Sequence, residues 1–455
     1  MSAAPALPSL AEELAAIAGP EFVNDDAGML RVFAVDGIAP AISVSPGSAE
    51  EVAAILRLAS ARDLVVVPCG GFTHQDQGGI PKRADVLLKT GRLRALRHYD
   101  AGDLTLGADA GMTLAEVERT LAVHRQFLPL EVARPEASTL GGALAVAAHG
   151  PLRHAYGGVR DFCIGITFVT GDGKIAHGGG RVVKNVAGYD LMKLLVGSFG
   201  TLGVIVGASF KVFPRPSASR SFLCEFPEAR EAAAFRDRVL RSPLRPECLE
   251  VLSPRAAEYL KDSIPGAESK AVGRSAPEAW RVALRAAGSE AVLARYAREL
   301  GAAVSTELEG QSEAAFWRSV ITFSESVEGR HHNAMILHLA LPIAAVAAAL
   351  AAAEQIALDH GFLMAAVGRA GAGALVVALI PILVDPPAAP LYAAAVKLLR
   401  LALPHDATAA VARCPREAKS YFSVWGTTPT ELDSMRGVQR ALDPKSVLNR
   451  GRFML

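Results

Sequence analysis

The chain has 455 residues, 47 of them basic and 46 acidic, and neither sign forms a long block. A chain of this length exceeds one ordinary hydrophobic core, so it predicts two or more domains. Because the charges balance, the sequence argues against a nucleic-acid-binding surface and against a polybasic membrane patch. The cysteines include no C-x-x-C pair, which argues against a disulfide framework and against a zinc or iron–sulfur site built from this chain's thiolates.

The N-terminal segment and the most apolar stretch of the chain bear on localisation. The N-terminal MSAAPALPSLAEELAAIAGPE lacks a basic region followed by an apolar one, so it does not read as a signal peptide and predicts a cytoplasmic protein. The most apolar stretch, residues 334–362, contains His338, Pro342 and Glu354. These residues favour a strand followed by a buried helix over a membrane-spanning helix.

Helices and strands alternate in the first half of the chain, with glycine-rich loops between them. Residues 48–63 place apolar side chains on one helical face, and Ser48 with Glu51 forms a capping box at the start. The same order of strand and capped helix returns at residues 104–124, where a second capping box begins at Thr113. This alternation is typical of an α/β or α+β domain whose loops face a ligand.

Two of these loops have the composition of a phosphate site. In PCGGFTHQDQGG, residues 68–79, successive N–H groups can surround a phosphate because glycine permits positive φ angles. An ordinary surface turn is the alternative for this loop alone. RPEASTLGGALAVAAHGPLRHAYGGVRD, residues 134–161, supplies a second such loop. Two of them suggest that a pyrophosphate is held from opposite sides, and a dinucleotide is the simplest ligand with that requirement.

A third glycine-rich segment, residues 181–205, lies among apolar residues. Glycine costs backbone entropy and gives no side chain to pack, so this pattern predicts close approach of the backbone to a ligand or to another part of the chain.

The second half of the chain begins where the prolines of FPRPSAS, residues 213–219, predict a domain exit. Residues 280–304 and 334–367 each predict a strand, a helix and a second strand. Two such units favour a sheet with its helices on one face. The charged tail ends in LDPKSVLNRGRF, residues 442–453.

Four motifs stand in a characteristic order: P-x-G-G-x-T, S-T-L-G-G, Y-G-x-V-R-D and V-K-N-V-A-G-Y-D-L-x-K-L-L-V-G-S-x-G-T-L-G. In this order they resemble the FAD-binding, PCMH-type domain of the vanillyl-alcohol-oxidase superfamily, and within it most closely the FAD-binding E subunits of bacterial glycolate oxidases. The resemblance covers residues 36–216, and the tail is similar to the family's D-P-x-x-x-x-N-P-G-[RK] ending.

The resemblance implies an α+β fold, in which a PCMH-type FAD-binding domain of two α+β subdomains is followed by an α/β cap with an antiparallel sheet. It implies that residues 1–216, with a core at 36–216, form the FAD-binding domain, that 217–415 form the cap, and that 416–455 return to the FAD-binding domain.

The resemblance also implies which residues contact FAD. It places Pro68, Gly70, Gly71, Thr73 and His74 around the diphosphate, and Ser138, Thr139, Leu140, Gly141 and Gly142 on its other side. It places Tyr156, Gly157, Arg160 and Asp161 near the flavin and the ribityl chain. Backbone contacts come from Gly200, Leu202, Gly203 and Val204, while Lys184, Asn185, Tyr189 and Asp190 fix the preceding loop. A solvated surface lysine is the alternative for Lys184.

The chain departs from the family at several positions. Phe199 stands where the substrate-oxidising D-type subunits have an acidic residue. An apolar residue at this position is similar to the E-type subunits. Members with covalent FAD often have histidine directly after the paired glycines, but Phe72 stands there, so non-covalent FAD is predicted. His74, two residues later, is the alternative tether. Arg450 replaces the usual proline of the tail motif.

The cap sequence identifies no catalytic residue and no metal site. Related metal-assisted dehydrogenases carry histidines where this chain has VGRAGAGALVV. Arg369 in that stretch could bind a carboxylate, although a surface arginine is the preferred interpretation. His331, His332 and His338 could be metal ligands, but adjacent residues of an extended segment point to opposite faces. The adjacent histidines are therefore interpreted as a solvated pair before a strand rather than as part of a metal site.

The resemblance therefore implies an FAD-binding subunit of a glycolate-oxidase-like 2-hydroxy-acid dehydrogenase complex, an FAD-dependent oxidoreductase. Such a subunit would hold FAD non-covalently and pass electrons between a catalytic flavoprotein subunit and an iron–sulfur subunit. Its location would be cytoplasmic, with membrane association only through partner subunits. Two alternatives stay open: a self-sufficient FAD-dependent oxidoreductase of a small hydroxy acid, and a redox-inactive assembly subunit.

Overall fold

The computed structural model describes residues 8–181, 188–260, 279–383 and 388–454. Lys184 and Asn185 lie outside the described residues. Up to residue 214 the strands are β1 (Val23–Asn24), β2 (Ile42–Val44), β3 (Val66–Cys69), β4 (Val86–Lys89), β5 (Leu96–Asp100), β6 (Thr105–Asp109), β7 (Gln126–Phe127), β8 (Cys163–Val169), β9 (Ile175–Gly179), β10 (Val204–Lys211) and β11 (Phe213–Pro214). The helices there are α1 (Leu10–Ala18), α2 (Ala27–Leu30), α3 (Ala49–Ala61), α4 (Leu114–Ala122), α5 (Leu140–Ala145), α6 (Arg153–Tyr156), α7 (Val159–Phe162) and α8 (Leu191–Leu195).

The first sheet has the order β1-β2-β4-β3, with β4 parallel to both of its neighbours. Helix α3 packs on it through fully buried Val52, Ile55 and Leu56. The predicted capping box of this helix is only half formed. The Ser48 hydroxyl accepts the N–H of Glu51, but the Glu51 carboxylate accepts the N–H of Gly47.

The second sheet is antiparallel throughout, in the order β5-β6-β10-β8-β9. Helix α4 begins in the predicted capping box of Thr113 and Glu116, and its apolar face joins a core that includes Leu106, Phe168 and Phe210. These two sheets with their helices are the two α+β subdomains, so this part of the fold prediction is confirmed.

The strands beyond residue 214 are β12 (Ala218–Phe226), β13 (Cys248–Leu252), β14 (Trp280–Gly288), β15 (Val304–Leu308), β16 (Met335–Ala340), β17 (Phe362–Arg369), β18 (Ala374–Pro381) and β19 (Thr408–Arg413). The helices are α9 (Ala229–Arg241), α10 (Ala257–Leu260), α11 (Glu290–Leu300), α12 (Gly310–Ile321), α13 (Phe323–Arg330), α14 (Val346–Asp359), α15 (Ala388–Arg400) and α16 (Leu432–Leu442).

The cap is one antiparallel sheet, in the order β15-β12-β14-β13-β17-β18-β16-β19. Helices α9, α11, α14 and α15 cover one face. The helices of the two predicted strand–helix–strand units, α11 and α14, share this face as predicted. Helices α12 and α13, outside those units, bury Phe316, Trp317 and Phe323 against the other face. The most apolar stretch forms β16, α14 and β17, and no described helix is long and apolar enough to cross a membrane.

The tail after α16 runs beside β3 of the first sheet. Val66 donates its N–H to the carbonyl of Val447 at 2.8 Å, and Asn449 donates its own to the carbonyl of Val66 at 2.9 Å. The buried Asp443 carboxylate shapes this turn by accepting the N–H groups of Val447 and Leu448. The domain boundaries at residues 216 and 415 stay a prediction.

Candidate functional site

The loop after β3 packs directly against the loop before α5. A Cβ atom on Gly71 would lie 1.7 Å from the carbonyl oxygen of Ala137, so only glycine allows this approach. Ser138 donates its hydroxyl to Thr73 Oγ1 at 3.1 Å, and Arg134 donates to the carbonyl oxygen of Thr73 at 3.0 Å. The two predicted phosphate loops therefore form one surface.

Helix α5 opens onto this surface. The Thr139 hydroxyl accepts the N–H of Gly142 at 3.3 Å, and Leu140 is fully buried beneath the helix. Gly141 and Gly142 then present backbone rather than side chains at the helix start.

The third glycine-rich segment closes the surface from another side. Gly200 has a φ of +67°, and the preceding Phe199 has a φ of +54°, a backbone region that bulky residues rarely adopt outside functional sites. Asn449 of the tail donates its side-chain amide to the Phe199 carbonyl at 2.6 Å. A Cβ atom on Gly203 would lie 2.6 Å from the Phe168 ring.

These segments border a groove. The predicted residues that line it are Pro68, Gly70, Gly71, Thr73, His74, Gly141, Gly142, Gly200, Gly203 and Val204. The tail adds Asn449 and Arg452, which the sequence analysis missed although both belong to the LDPKSVLNRGRF motif. The Asn449 Oδ1 atom is buried and has no hydrogen-bond partner among the described residues. A backbone-lined groove with an unpaired polar atom fits a long polar cofactor such as FAD.

The other predicted FAD contacts lie outside the lining of this groove. Ser138, Thr139 and Leu140 support it from beneath, and Leu202 belongs to the core of the second sheet. The elements around Tyr156, Gly157, Arg160 and Asp161 form a neighbouring turn. Their roles as FAD contacts stay a prediction.

Side chains of that turn bind protein groups. The Tyr156 hydroxyl donates to Glu247 of the cap at 2.7 Å, and Arg160 donates to the carbonyl oxygen of Val196 at 3.0 Å. Asp161 accepts the N–H of Gly158. Of the two described residues predicted to fix the loop before α8, Asp190 caps that helix, and Tyr189 is 91 % exposed.

Two residues of the first loop bear on how FAD is attached. Phe72, directly after the paired glycines, offers no nucleophilic atom for a covalent bond. His74 lies at the end of the groove with its Nδ1 atom 2.9 Å from the Thr73 hydroxyl, and burial lowers its pKa to about 4.

A second cavity continues from the groove and lies under the cap sheet. His74, Val146 and Phe199 line both spaces. Its polar lining residues come from both halves of the chain: His74, Gln77, Glu131, His149, Ser324, Glu325, His338, Arg369, Arg413 and Trp425.

Arg369 differs from the prediction made for it. The interpretation of Arg369 as a surface arginine is wrong, because it lies at the end of β17, is 5 % exposed and lines the cavity. His338 lies on β16 and also lines the cavity. His332 is exposed, and His331 packs against the edge of Tyr259.

Burial sets the protonation of the cavity groups. The rings of His149 and His338 lie 6.4 Å apart. Burial, and then the charge of Arg369, hold the pKa of His149 well below its ordinary value and lower that of His338 to about 4. Burial raises the pKa of Glu131 to about 7, although its carboxylate accepts the N–H of Leu152. Both histidines are therefore neutral at pH 7.

No described group of three or more histidine, cysteine, aspartate or glutamate side chains is arranged to hold a metal ion. Two glycine-rich loops on a groove, with a cavity roofed by an antiparallel sheet, define a capped cofactor-binding protein.

Comparison with known proteins identifies the two parts of the chain. Residues 40–179 match the model of the FAD binding domain, and residues 215–403 match the model of the C-terminal domain of FAD linked oxidases. The chain therefore carries a PCMH-type FAD-binding domain followed by the C-terminal domain of FAD linked oxidases, and FAD is its cofactor.

Two curated proteins are similar to this chain in sequence, and one solved structure is similar to it in fold. D-2-hydroxyglutarate dehydrogenase of Xanthomonas citri pv. viticola is 34 % identical over 219 residues, which cover 47 % of this chain and 45 % of that protein. Glycolate oxidase subunit GlcE of Escherichia coli is 46 % identical over 129 residues, covering 28 % of this chain and 37 % of the subunit. The fold is similar to that of p-cresol methylhydroxylase, with a TM-score of 0.74, 14 % identity and coverage of 97 % and 95 %. This chain spans about half or less of the two curated relatives.

Proposed function

We propose that the protein is an FAD-dependent oxidoreductase that oxidises a small 2-hydroxy carboxylate in the cavity under the cap sheet. The names of the relatives support the substrate class, since 2-hydroxyglutarate and glycolate are both 2-hydroxy carboxylates. When bound, FAD supplies the two-electron acceptor for such an oxidation.

The observation that carries this proposal is the buried charge of Arg369. Among the described residues, no carboxylate forms an ion pair or a hydrogen bond with its guanidinium, and its Nε atom is buried without a partner. The carboxyls that interact with its charge are Glu250 on the neighbouring strand and Glu131, and burial raises their pKa to about 8 and 7. They balance the guanidinium only in part at neutral pH, so a bound carboxylate would supply the missing counter-charge.

The hydroxyl proton of such a substrate would need an acceptor. His149 is neutral at pH 7, lines the same cavity and has a buried Nδ1 atom without a hydrogen-bond partner among the described residues. These properties are those of a general base, and we assign this role to His149.

A second candidate function is supported by the 46 % identity with glycolate oxidase subunit GlcE and by Phe199. In that role the protein is the FAD-binding subunit of a multi-subunit complex, with electrons passing between a catalytic flavoprotein and an iron–sulfur subunit. Its location would be cytoplasmic, with membrane association through those partners.

An anaerobic visible spectrum of the purified holoprotein, recorded while glycolate and lactate are added, separates the two candidates. We expect these acids to bleach the flavin. For Arg369→Met, we expect the acid concentration that gives the same rate of flavin reduction to rise by about 30-fold or more, because the substrate carboxylate loses its charged partner. Arg400→Met, on the exposed end of α15, should behave as wild type. If dithionite alone reduces the flavin, the substrate-oxidising role is wrong and the subunit role gains support.

A further inference from the structure

The cavity contains a second arginine, Arg413 on β19, whose surroundings differ sharply from those of Arg369. Its guanidinium contacts three carboxylates: Asp76 at 2.6 Å, Glu325 at 3.1 Å and Glu328 at 2.5 Å. We call these three residues the acidic cage. Asp76 comes from the loop after β3, and the two glutamates come from α13. Cage and guanidinium together carry two negative charges when all the carboxylates are ionised.

The two arginines lie toward different ends of the same cavity. Strands β18 and β16 separate their strands in the sheet, and His338 on β16 lies between them and interacts with both charges. A substrate whose carboxylate binds Arg369 would therefore extend toward His338 and Arg413. Whatever group it carries at its far end meets a guanidinium that is already surrounded by carboxylates.

We infer that Asp76, Glu325 and Glu328 determine the substrate specificity of the cavity, by neutralising Arg413 and thereby excluding a second carboxylate. This inference rests on the proposed function. It assigns 2-hydroxy monocarboxylates as substrates and 2-hydroxy dicarboxylates as poor ones. The physical reason is that a second carboxylate would be desolvated beside a net negative cluster, and like charges placed together at a binding site are strongly unfavourable.

A purely architectural role is the competing explanation for the acidic cage. Asp76 belongs to the FAD-binding half and Arg413 to the cap, so their ion pair also joins the two halves. The explanations differ in one respect. Removing carboxylates from α13 should change the binding of mono- and dicarboxylates alike if the cage is only architectural, but should selectively improve dicarboxylate binding if the cage repels the second carboxylate.

The test uses the FAD-loaded protein and two matched pairs of acids. Each pair has the same carbon chain with one or two carboxylates: 2-hydroxypentanoate with 2-hydroxyglutarate, and 2-hydroxyhexanoate with 2-hydroxyadipate. The rate of anaerobic flavin reduction is measured at increasing acid concentration. Calorimetric titration with pentanoate and glutarate, which lack the hydroxyl, measures binding without turnover. In wild type we expect each monocarboxylate to be preferred by roughly tenfold or more.

The variant Glu325→Gln/Glu328→Gln should narrow this preference by roughly tenfold, because Arg413 becomes free to bind the second carboxylate. Glu328→Gln alone should act in the same direction and serves if the double variant does not fold. The control Glu290→Gln/Glu299→Gln removes the same charge from exposed positions on α11 and should leave the preference unchanged. Equal binding of both acids by wild type, or an equal shift of both in the variants, would overturn the inference. If no acid binds or reduces the flavin in wild type, the proposed function itself is wrong.

Discussion

At the scale of single residues, the protonation of His149 is the property on which the proposed chemistry most depends. Its imidazole lies in the chain segment after α5, and burial together with the charges of Arg369 and Arg153 holds its pKa well below the ordinary value near 6.5. A histidine with a lowered pKa is neutral at physiological pH. It can therefore accept a proton, whereas a protonated imidazolium could not.

We predict that His149→Gln slows flavin reduction at saturating substrate by about 10²–10⁴-fold, because the glutamine amide cannot accept the hydroxyl proton. Binding of pentanoate, measured by calorimetry, should change little because Arg369 is intact. In wild type, protonation of His149 should lower the saturating rate only below about pH 6.5, because burial holds its pKa well below the ordinary value. Rates are measured by anaerobic stopped flow.

His405→Gln is the matched control, since His405 is exposed and does not line the cavity. An unchanged rate in His149→Gln would show that another group, such as His338, takes the proton.

At the scale of elements, the contact between the loop after β3 and the loop before α5 creates the candidate FAD groove. A Cβ atom at Gly71 would collide with the backbone carbonyl of Ala137, which cannot rotate away as a side chain can. We predict that Gly71→Ala separates the loops and raises the dissociation constant of FAD by at least about tenfold, which corresponds to about 1.4 kcal/mol. Quenching of flavin fluorescence during titration of the apoprotein measures it.

Gly91→Ala is the control for Gly71→Ala, because a Cβ atom at Gly91 meets nothing within 4 Å. If Gly71→Ala binds FAD as wild type does, the two loops do not need this close contact.

The FAD of the wild-type protein is predicted to be non-covalent. After acid precipitation of the protein, all of the FAD should therefore appear in the supernatant.

The sequence predicted the parts of the fold that depend on local pattern. The apolar face of α3, the capping box at Thr113 and the glycines of both loops follow from the properties of neighbouring residues. The presence of helices on both faces of the cap sheet does not follow from neighbouring residues, because the apolar faces of α12 and α13 pack on strands that are distant in the sequence.

The candidate site shows the same division. The glycines that line the groove could be predicted because they belong to glycine-rich motifs that are visible in the sequence. The cavity was not found, since His149 and His338 are distant in the sequence and meet only when the cap folds over the first half. The burial of Arg369 was missed for the same reason: exposure depends on the packing of β13 and β17, which a single sequence does not reveal.

At the scale of the whole molecule, the tail joins the end of the chain to its beginning. It follows the cap, lies along β3 and contributes Asn449 and Arg452 to the FAD groove. Arg452 is 2 % exposed and donates to the carbonyl oxygens of Gln75, Gln77 and Gly79 in the loop after β3. Positioning of this loop therefore depends on residues that follow the cap in the sequence.

We predict that Asp443→Ala weakens both the fold and FAD binding. The Asp443 carboxylate is 1 % exposed and accepts the N–H groups of Val447 and Leu448, the residues at which the tail begins to lie beside β3. Leaving those groups unpaired should cost about 1–3 kcal/mol of unfolding free energy, and displacement of Asn449 should lower FAD affinity. Denaturant unfolding of the apoprotein gives the first quantity, and fluorescence titration gives the second. Asp433→Ala, on the exposed side of α16, should change neither. If Asp443→Ala loses stability but binds FAD as wild type does, the tail supports the first sheet without shaping the groove.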